Sequence, residues 1–417
     1  MSPGLALTQA AIDALGFAPA EAAIGNLSWG TGRLDGRPVR VARIENRIAS
    51  GSIGRAEAER LVALLRVVAA ERSPLVLLLD SAGARVSEGL AALGAFRHLY
   101  RAALGAALAG APIACVLGRN AYGGASMVAM LAHERLLSPE TRLAMSGPAV
   151  IASTAGTSAT DEMFLAMAEA AMSPAAREKA SAANHAWQEG EDVAAWLRGA
   201  LAARGDVVAG WQARHEGLAS RFDAAQARRP WEPMQRRDLA RLFEGGMALR
   251  ESDGLVEGEA TRGGESLRVL GLVGPTPLGI ARAWRFADLA WKALAAPPAR
   301  LEVLLDCASH APRLEDERAV QSEFVVDMAL GLAALGSRGT QVGLTVLGKA
   351  GGGVYVALAA PAARVASIYG ADIQVLPASA VAAILGERRE VVPSFPEYRA
   401  AGVADEEIKL GLAPGNA

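Results

Sequence analysis

An apolar run from Leu75 to Leu79 closes on Asp80 and a small-residue turn, Ser81-Ala82-Gly83. Far downstream the pattern returns: Leu301 to Leu305 closes on Asp306 and Cys307-Ala308-Ser309 (306 − 80 = 226). Runs of this kind predict strands covered on both faces. Each is followed by a second apolar run ending in glycines. Ile113 to Leu117 leads into Gly118 and then Gly123-Gly124, and Val342 to Leu347 leads into Gly348 and then Gly351-Gly352-Gly353 (348 − 118 = 230). The near-constant offset predicts two copies of one unit.

Around these strands the polar and apolar positions set out a regular order. Asp35-Gly36 between apolar alternations predicts a hairpin over 32–42. Leu61, Leu64, Leu65 and Val68 share one helical face, and Ser73-Pro74 ends that helix. Further helices are expected over 91–109 and 125–132, with short strands at Glu134–Leu137 and Arg142–Met145. The stretch from Gly245 to Asp253 reads as a turn into the second copy, which opens with a strand over Leu267–Val273. Alternating strands and helices predict an α/β fold. Short strands feeding helices through glycine turns favour stacked ββα units, and no GxGxxG follows an early strand, so a dinucleotide-binding sheet lacks its phosphate fingerprint. Between 161 and 238 the chain is rich in Ala, Arg and Glu and carries Trp187, Trp196 and Trp211. The prolines of Arg228-Arg229-Pro230-Trp231-Glu232-Pro233 place the boundary there, giving units 1–228 and 229–417.

Composition narrows the choice. The 417 residues are 52% apolar, enough for two cores, and the net charge of −2 comes without a long basic block. Nucleic acid and membrane surfaces are therefore not expected as partners. Cys115 and Cys307, each at a predicted strand, are too few for a disulfide framework and form no CxxC pair. The start, Met-Ser-Pro-Gly-Leu, lacks a secretory pattern, and the apolar stretch 102–118 is broken by Gly105, Gly110 and Pro112. A cytoplasmic protein is expected.

The turns are where chemistry is expected. A strand ending in small residues and feeding a helix leaves backbone N–H groups unpaired at the helix start, where the dipole adds positive potential. Glycine lets an oxygen approach closely. The N–H groups of Ala82, Gly83, Gly123 and Gly124, and of Gly352 and Gly353 in the second copy, are the candidate oxyanion donors. Ser126, just after a glycine turn, and Ser146, just before Gly147, are tested as nucleophile candidates, but serine needs a base. The segment 142–148 has no histidine, and His310 alone among the five lies near a candidate site. Arg85, beside Glu88, and Lys349 are candidates for a substrate carboxylate and a phosphate-bearing arm. No HxH, HExxH or acidic cluster has metal-ligand spacing.

At these motifs the chain resembles the carboxyltransferase branch of the crotonase-like (Clp/crotonase) superfamily. Residues 32–160 are similar to malonate decarboxylase beta subunits, through 32–39, 51–54, 78–85, Tyr122-Gly123-Gly124-Ala125-Ser126-Met127 and Leu143-Ala144-Met145-Ser146-Gly147-Pro148. Residues 265–395 resemble the gamma subunit through Leu304-Leu305-Asp306, Gly352-Gly353 and 371–377. The resemblance implies a beta–gamma fusion with two tandem crotonase-like domains. It implies decarboxylation of a malonyl thioester on an acyl carrier protein, the thioester belonging to a phosphopantetheine or dephospho-CoA type group. An acyl-carrier transferase subunit would be a further partner, and a homo-oligomer is compatible. Ser126, Ser146, Gly147, Arg85 and Lys349 would line the substrate. Biotin-dependent carboxyl transfer uses the same pocket chemistry, and a non-catalytic scaffold is the alternative outside enzymes. Generic acyl-CoA hydration ranks low because Glu88 is the sole nearby carboxylate in the first copy. The turns depart from the family pattern: Ser81-Ala82-Gly83 has one glycine where two are usual, and Cys307-Ala308-Ser309 has none.

Overall fold

The computed structural model describes residues 1–202, 207–232, 237–386 and 392–410. Two eight-stranded sheets repeat one topology. In the first, β1 (Ala18–Pro19), β2 (Leu27–Leu34), β3 (Arg37–Ile44), β4 (Leu75–Ser81), β5 (Ile113–Tyr122), β6 (Glu134–Leu137) and β8 (Asn184–Ala186) lie in that order, while β7 (Arg142–Ala144) pairs with the far end of β5. In the second, the path runs β9 (Met247–Ser252), β10 (Leu255–Arg262), β11 (Glu265–Val273), β12 (Arg300–Cys307), β13 (Gln341–Gly351), β14 (Arg364–Ile368) and β16 (Glu406–Ile408), while β15 (Asp372–Gln374) pairs with β13. Each sheet begins as an antiparallel meander and becomes parallel at its fourth strand. This is the expected α/β fold, built from two units of one topology in tandem.

The hairpin turn at Asp35-Gly36 has φ of 49° and 77°, the left-handed pair that a two-residue turn demands. Asp253-Gly254 repeats it at 53° and 75°, joining β9 to β10. The reading of 245–253 as a turn is corrected here. Met247 to Ser252 is a strand, exposed or half-buried throughout, so it lacks the alternation that marks a strand in sequence. The helix predicted over 91–109 spans Leu90–Leu108, and the one over 125–132 spans Gly124–Met130. In the region of the expected boundary, residues 233–236 lie outside the described residues. Trp231 there donates to the Val273 carbonyl and stacks under Arg282 at 4.6 Å.

The helical layers of the two units face each other. The helix Gln321–Ser337 is buried on nearly every side, packing on Ile280–Ala293, on Gly124–Met130 and on Gly352–Ala359. One continuous apolar core therefore runs from Leu61 and Phe96 in the first unit to Phe286 and Tyr355 in the second. Charge is buried with it: Arg135, fully buried, meets Glu323 at 3.1 Å, and Glu323 also takes Arg221 at 2.5 Å. Among the described residues no helix is long and apolar enough to cross a membrane.

Candidate active site between the two units

β5 runs five residues past the predicted Leu117, and this extension builds the site. Pairing with β4 slips between Leu79 and Ser81, and the same irregularity recurs between Leu305 and Cys307 of β12. The slip frees the strand to continue to Tyr122 alongside β7. In each unit the strand-ending aspartate holds the slipped segment. Asp80 Oδ1 accepts from the Asn120 N–H at 3.1 Å and from Asn46 Nδ2 at 3.1 Å, and Asp306 Oδ1 accepts from the Lys349 N–H at 2.8 Å. Burial raises both carboxyl pKa values, opposed by these hydrogen bonds.

The extended strands deliver their glycines to one cleft of about 470 Å³, lined from both units. Ala82, Ala84, Gly123, Gly124, Ser146 and Gly147 face it from the first, and Ala308, Ser309, His310, Gly352 and Gly353 from the second. Its walls are apolar, with Leu93, Phe96, Val356 and Leu376 among them. Helices Pro148–Ala155 and Ala378–Leu385 pack together beside its mouth.

Gly124 and Gly353 stay among the donors as expected, but the donor of the first turn is displaced to Ala84. The Ala82 N–H bonds to the Ser50 carbonyl at 2.9 Å, and the Gly83 N–H to Ser81 Oγ at 3.1 Å. The Gly123 N–H is shared by the Ala144 and Met145 carbonyls, at 3.2 Å each. These three are satisfied by the protein itself, which corrects their assignment as ligand donors. Ala84 bridges Ile53 on one side only: Gly83 O and the Arg85 N–H make that bridge, leaving the Ala84 N–H turned away. Among the described residues, the Ala84 N–H takes no acceptor outside the helices and strands, and Gly124, the first residue of its helix, has no intrahelical acceptor for its N–H. The two turns touch, since a Cβ on Gly83 would stand 2.5 Å from the Tyr122 carbonyl and 3.4 Å from the Gly124 nitrogen. Gly83 has φ +88°, and only glycine fits there.

The second unit repeats this arrangement. His310 bridges Leu278 as Ala84 bridges Ile53, and Gly352 and Gly123 share a φ of +53°. Among the described residues the His310 N–H takes no acceptor outside the helices and strands, and Gly353, the second residue of its helix, has no intrahelical acceptor. The cleft thus presents backbone donors from both units, Ala84 with Gly124 and His310 with Gly353, the expected Gly352 opening the same helix beside Gly353. The absence of glycine in the 307–309 turn removes nothing, because the donor is the residue after it.

Of three other expected substrate contacts, Ser126 and Lys349 lie outside the cleft lining, and Arg85 lines it with its guanidinium already engaged. Ser126 is fully buried at the junction of the units, bonded to the Gly123 carbonyl at 2.7 Å and to Ser322 Oγ at 2.9 Å. The Arg85 guanidinium, at the cleft wall, is taken up by the Ser52 carbonyl, Glu57 and Glu88. Lys349 is exposed outside the cleft lining, because the strand alternation that points Ala350 inward points its neighbour to solvent.

Ser146 and Gly147 do line the cleft, and Ser146 gains a partner that its own unit lacks. Its Oγ lies 2.9 Å from His310 Nε2, and His310 Nδ1 lies 3.2 Å from Ser309 Oγ. Burial drives the His310 pKa down to about 4, so the imidazole is neutral at ordinary pH. The Ser146 N–H points the other way, to Glu317 Oε1 at 2.8 Å. Burial pushes the Glu317 carboxyl up to about 7, opposed by buried Arg177 at 3.6 Å. This pairing was not readable in the sequence, where 164 residues separate serine from histidine. Burial pushes both cysteine thiols up to about 12, so neither is a nucleophile. Among the described residues no group of three His, Cys, Asp or Glu side chains is placed to hold a metal.

Similarity to known proteins in sequence falls over the first unit. Residues 6–190 match the family model of the carboxyl transferase domain. A putative propionyl-CoA carboxylase beta chain of Bacillus subtilis is 30% identical over 128 residues, 30% of this chain and 25% of the relative. The acetyl-coenzyme A carboxylase carboxyl transferase subunit beta of a Synechococcus strain is 32% identical over 136 residues, 32% of this chain and 43% of the relative. The chain thus spans about a quarter to under a half of these relatives' lengths. A Pseudomonas malonate decarboxylase hetero-dimer is 23% identical with a TM-score of 0.39, covering 51% of this chain and 94% of that one. Over residues 6–190, this two-unit α/β chain is therefore similar to the carboxyl transferase domain family.

Proposed function

We propose that the cleft binds an acyl thioester and moves a carboxyl group between its α-carbon and biotin held on a separate carrier. The observation that carries this reading is the double set of backbone donors in one apolar cleft. One pair, Ala84 with Gly124, would receive the thioester carbonyl oxygen, where charge collects as the enolate forms. The other pair, His310 with Gly353, would receive the carbonyl oxygen of the carboxyl carrier. Fixed N–H donors in a dry site stabilise such charge without reorganising, each contributing about 3–4 kcal/mol. The family match and the names of the curated relatives support carboxyl transfer.

A second reading is decarboxylation of a malonyl thioester on an acyl carrier protein, giving acetyl thioester and CO₂. The Ser146–His310 pair favours it. Loss of CO₂ leaves an enolate that needs a proton, and this pair is a proton-bearing group inside the cleft. The thioester would belong to a carrier's phosphopantetheine or dephospho-CoA type arm, with an acyl-carrier transferase as a further partner. CO₂ release and carboxyl exchange measured from malonyl-carrier and malonyl-CoA, with and without carboxylated biotinyl carrier, separate the two. Strict biotin dependence supports transfer, and release without biotin supports decarboxylation. Activity unchanged by Gly124→Val in a folded protein would reduce the chain to a scaffold.

A further inference from the structure

We propose that Ser146 is an acylatable nucleophile, and that the cleft hydrolyses small acyl thioesters through an acyl ester on Ser146 Oγ. The inference rests on the acyl-thioester reading of the cleft, with the thioester carbonyl seated on the second-unit donors in place of Ala84 and Gly124, and not on any carboxyl chemistry. Its geometry is that of an activated alcohol. The Ser146 hydroxyl is 2.9 Å from a ring nitrogen of His310, and the other ring nitrogen is 3.2 Å from Ser309 Oγ. With Nδ1–H donating to Ser309, Nε2 carries the lone pair that accepts the serine proton. The fourth member of the set, a backbone donor for the developing oxyanion, is adjacent: a Cβ on Gly353 would stand 3.9 Å from His310 Nδ1, and Gly353, the second residue of its helix, has no intrahelical acceptor for its N–H. Nucleophile, base, orienting group and oxyanion donor are the parts that acyl transfer requires.

The pair is held against drift. The Ser146 N–H is anchored on Glu317, and Met145 caps Gly123 through its carbonyl. Serine comes from one unit and histidine from the other, so the pair exists only when the two units are packed. Both side chains are buried, Ser146 at 4% and His310 at 7% exposure, yet both line the cleft. A solvated surface contact would have neither property.

The step balances. Ser146 Oγ attacks the thioester carbonyl carbon and its proton passes to His310 Nε2. The C–S bond breaks, and the sulfur leaves as a thiol by taking that proton. Water then attacks the ester carbonyl, again giving its proton to Nε2. The ester C–O bond breaks and Ser146 Oγ recovers the proton, leaving a free carboxylic acid and a thiol.

Acetyl-CoA tests this, because it has no carboxyl group to transfer. The full chain is incubated with acetyl-CoA, and thiol release is followed while acid-quenched samples are taken for intact mass and peptide mapping. The expected result is one added acetyl group on the peptide bearing Ser146, with both adduct and thiol release lost in Ser146→Ala. His310→Gln should slow acylation about 10²–10⁴-fold, the usual weight of a general base. Ser146→Cys guards against a folding defect, since a cysteine in this position should trap the acetyl group or an alkylating reagent. No adduct on wild type or Ser146→Cys, or thiol release equal in wild type and Ser146→Ala, overturns the proposal. CO₂ release from malonyl thioester on the same preparation tests the carboxyl reading separately.

Discussion

Gly83→Ala is the substitution on which the donor geometry can be weighed. Gly83 sits at φ +88°, where a residue with a side chain costs about 1–2 kcal/mol. Its new Cβ would stand 2.5 Å from the Tyr122 carbonyl oxygen, a backbone atom that cannot rotate away. Relief requires the Tyr122–Gly124 turn to retreat, and the Gly124 N–H goes with it. Losing one well-aimed donor costs about 3–4 kcal/mol in the transition state, or about 10²–10³ in kcat. Gly36→Ala supplies the comparison, because Gly36 has φ +77° with nothing within 4 Å and lies in the distant hairpin. Both variants should lose about 1–2 kcal/mol in urea melts from backbone strain, with Gly83→Ala losing more. Only Gly83→Ala should lose turnover, measured as CO₂ release or carboxyl exchange at saturating substrate. Wild-type kcat in folded Gly83→Ala would refute the claim that the Ala84 and Gly124 donors act on one oxygen.

Other expectations are as specific. Activity that depends on neutral His310 should hold from pH 8 to about 5 and fall as pH drops through about 4; an inflection near 6.5 in the pH–rate profile would contradict its burial. The same shift makes stability pH-dependent. The unfolded chain binds this proton more readily, so the contribution is full above about 6.5 and lost progressively as pH falls to about 4, by about 3 kcal/mol in urea melts. Ser126→Ala should cost about 1 kcal/mol for its lost bonds across the units and leave KM within about twofold; a large KM rise would return Ser126 to the substrate site. Glu323→Leu strands buried Arg135, and should lower stability by about 3–5 kcal/mol at unchanged urea m-value.

The paired strands and glycine turns were legible because burial on both faces leaves an uninterrupted apolar run, and a tight turn leaves glycine. Exposed β9 was not, although Asp253-Gly254 repeats the turn signal of Asp35-Gly36. The donor of the first turn was misplaced for a physical reason: which N–H in a turn is free depends on what neighbouring loops take. Ser50 and Ile53 lie in a loop far from Ala82 in sequence, and it is their carbonyls and N–H that decide the outcome. Ser126 and Lys349 sit in the right motifs with the wrong orientation, one turned into the helix packing and the other to solvent. His310 was flagged only by position, since nothing local to either residue announces a contact spanning the two units.

The helix Gln321–Ser337 has apolar neighbours in both halves of the polypeptide, so neither half can be made alone without leaving a greasy face in water. Splitting the gene at the junction should therefore yield fragments that clump unless co-produced. Keeping the halves on one backbone turns assembly into an intramolecular event, indifferent to how dilute the cell makes the product. Every translated copy then arrives with both walls of the cleft in matched number.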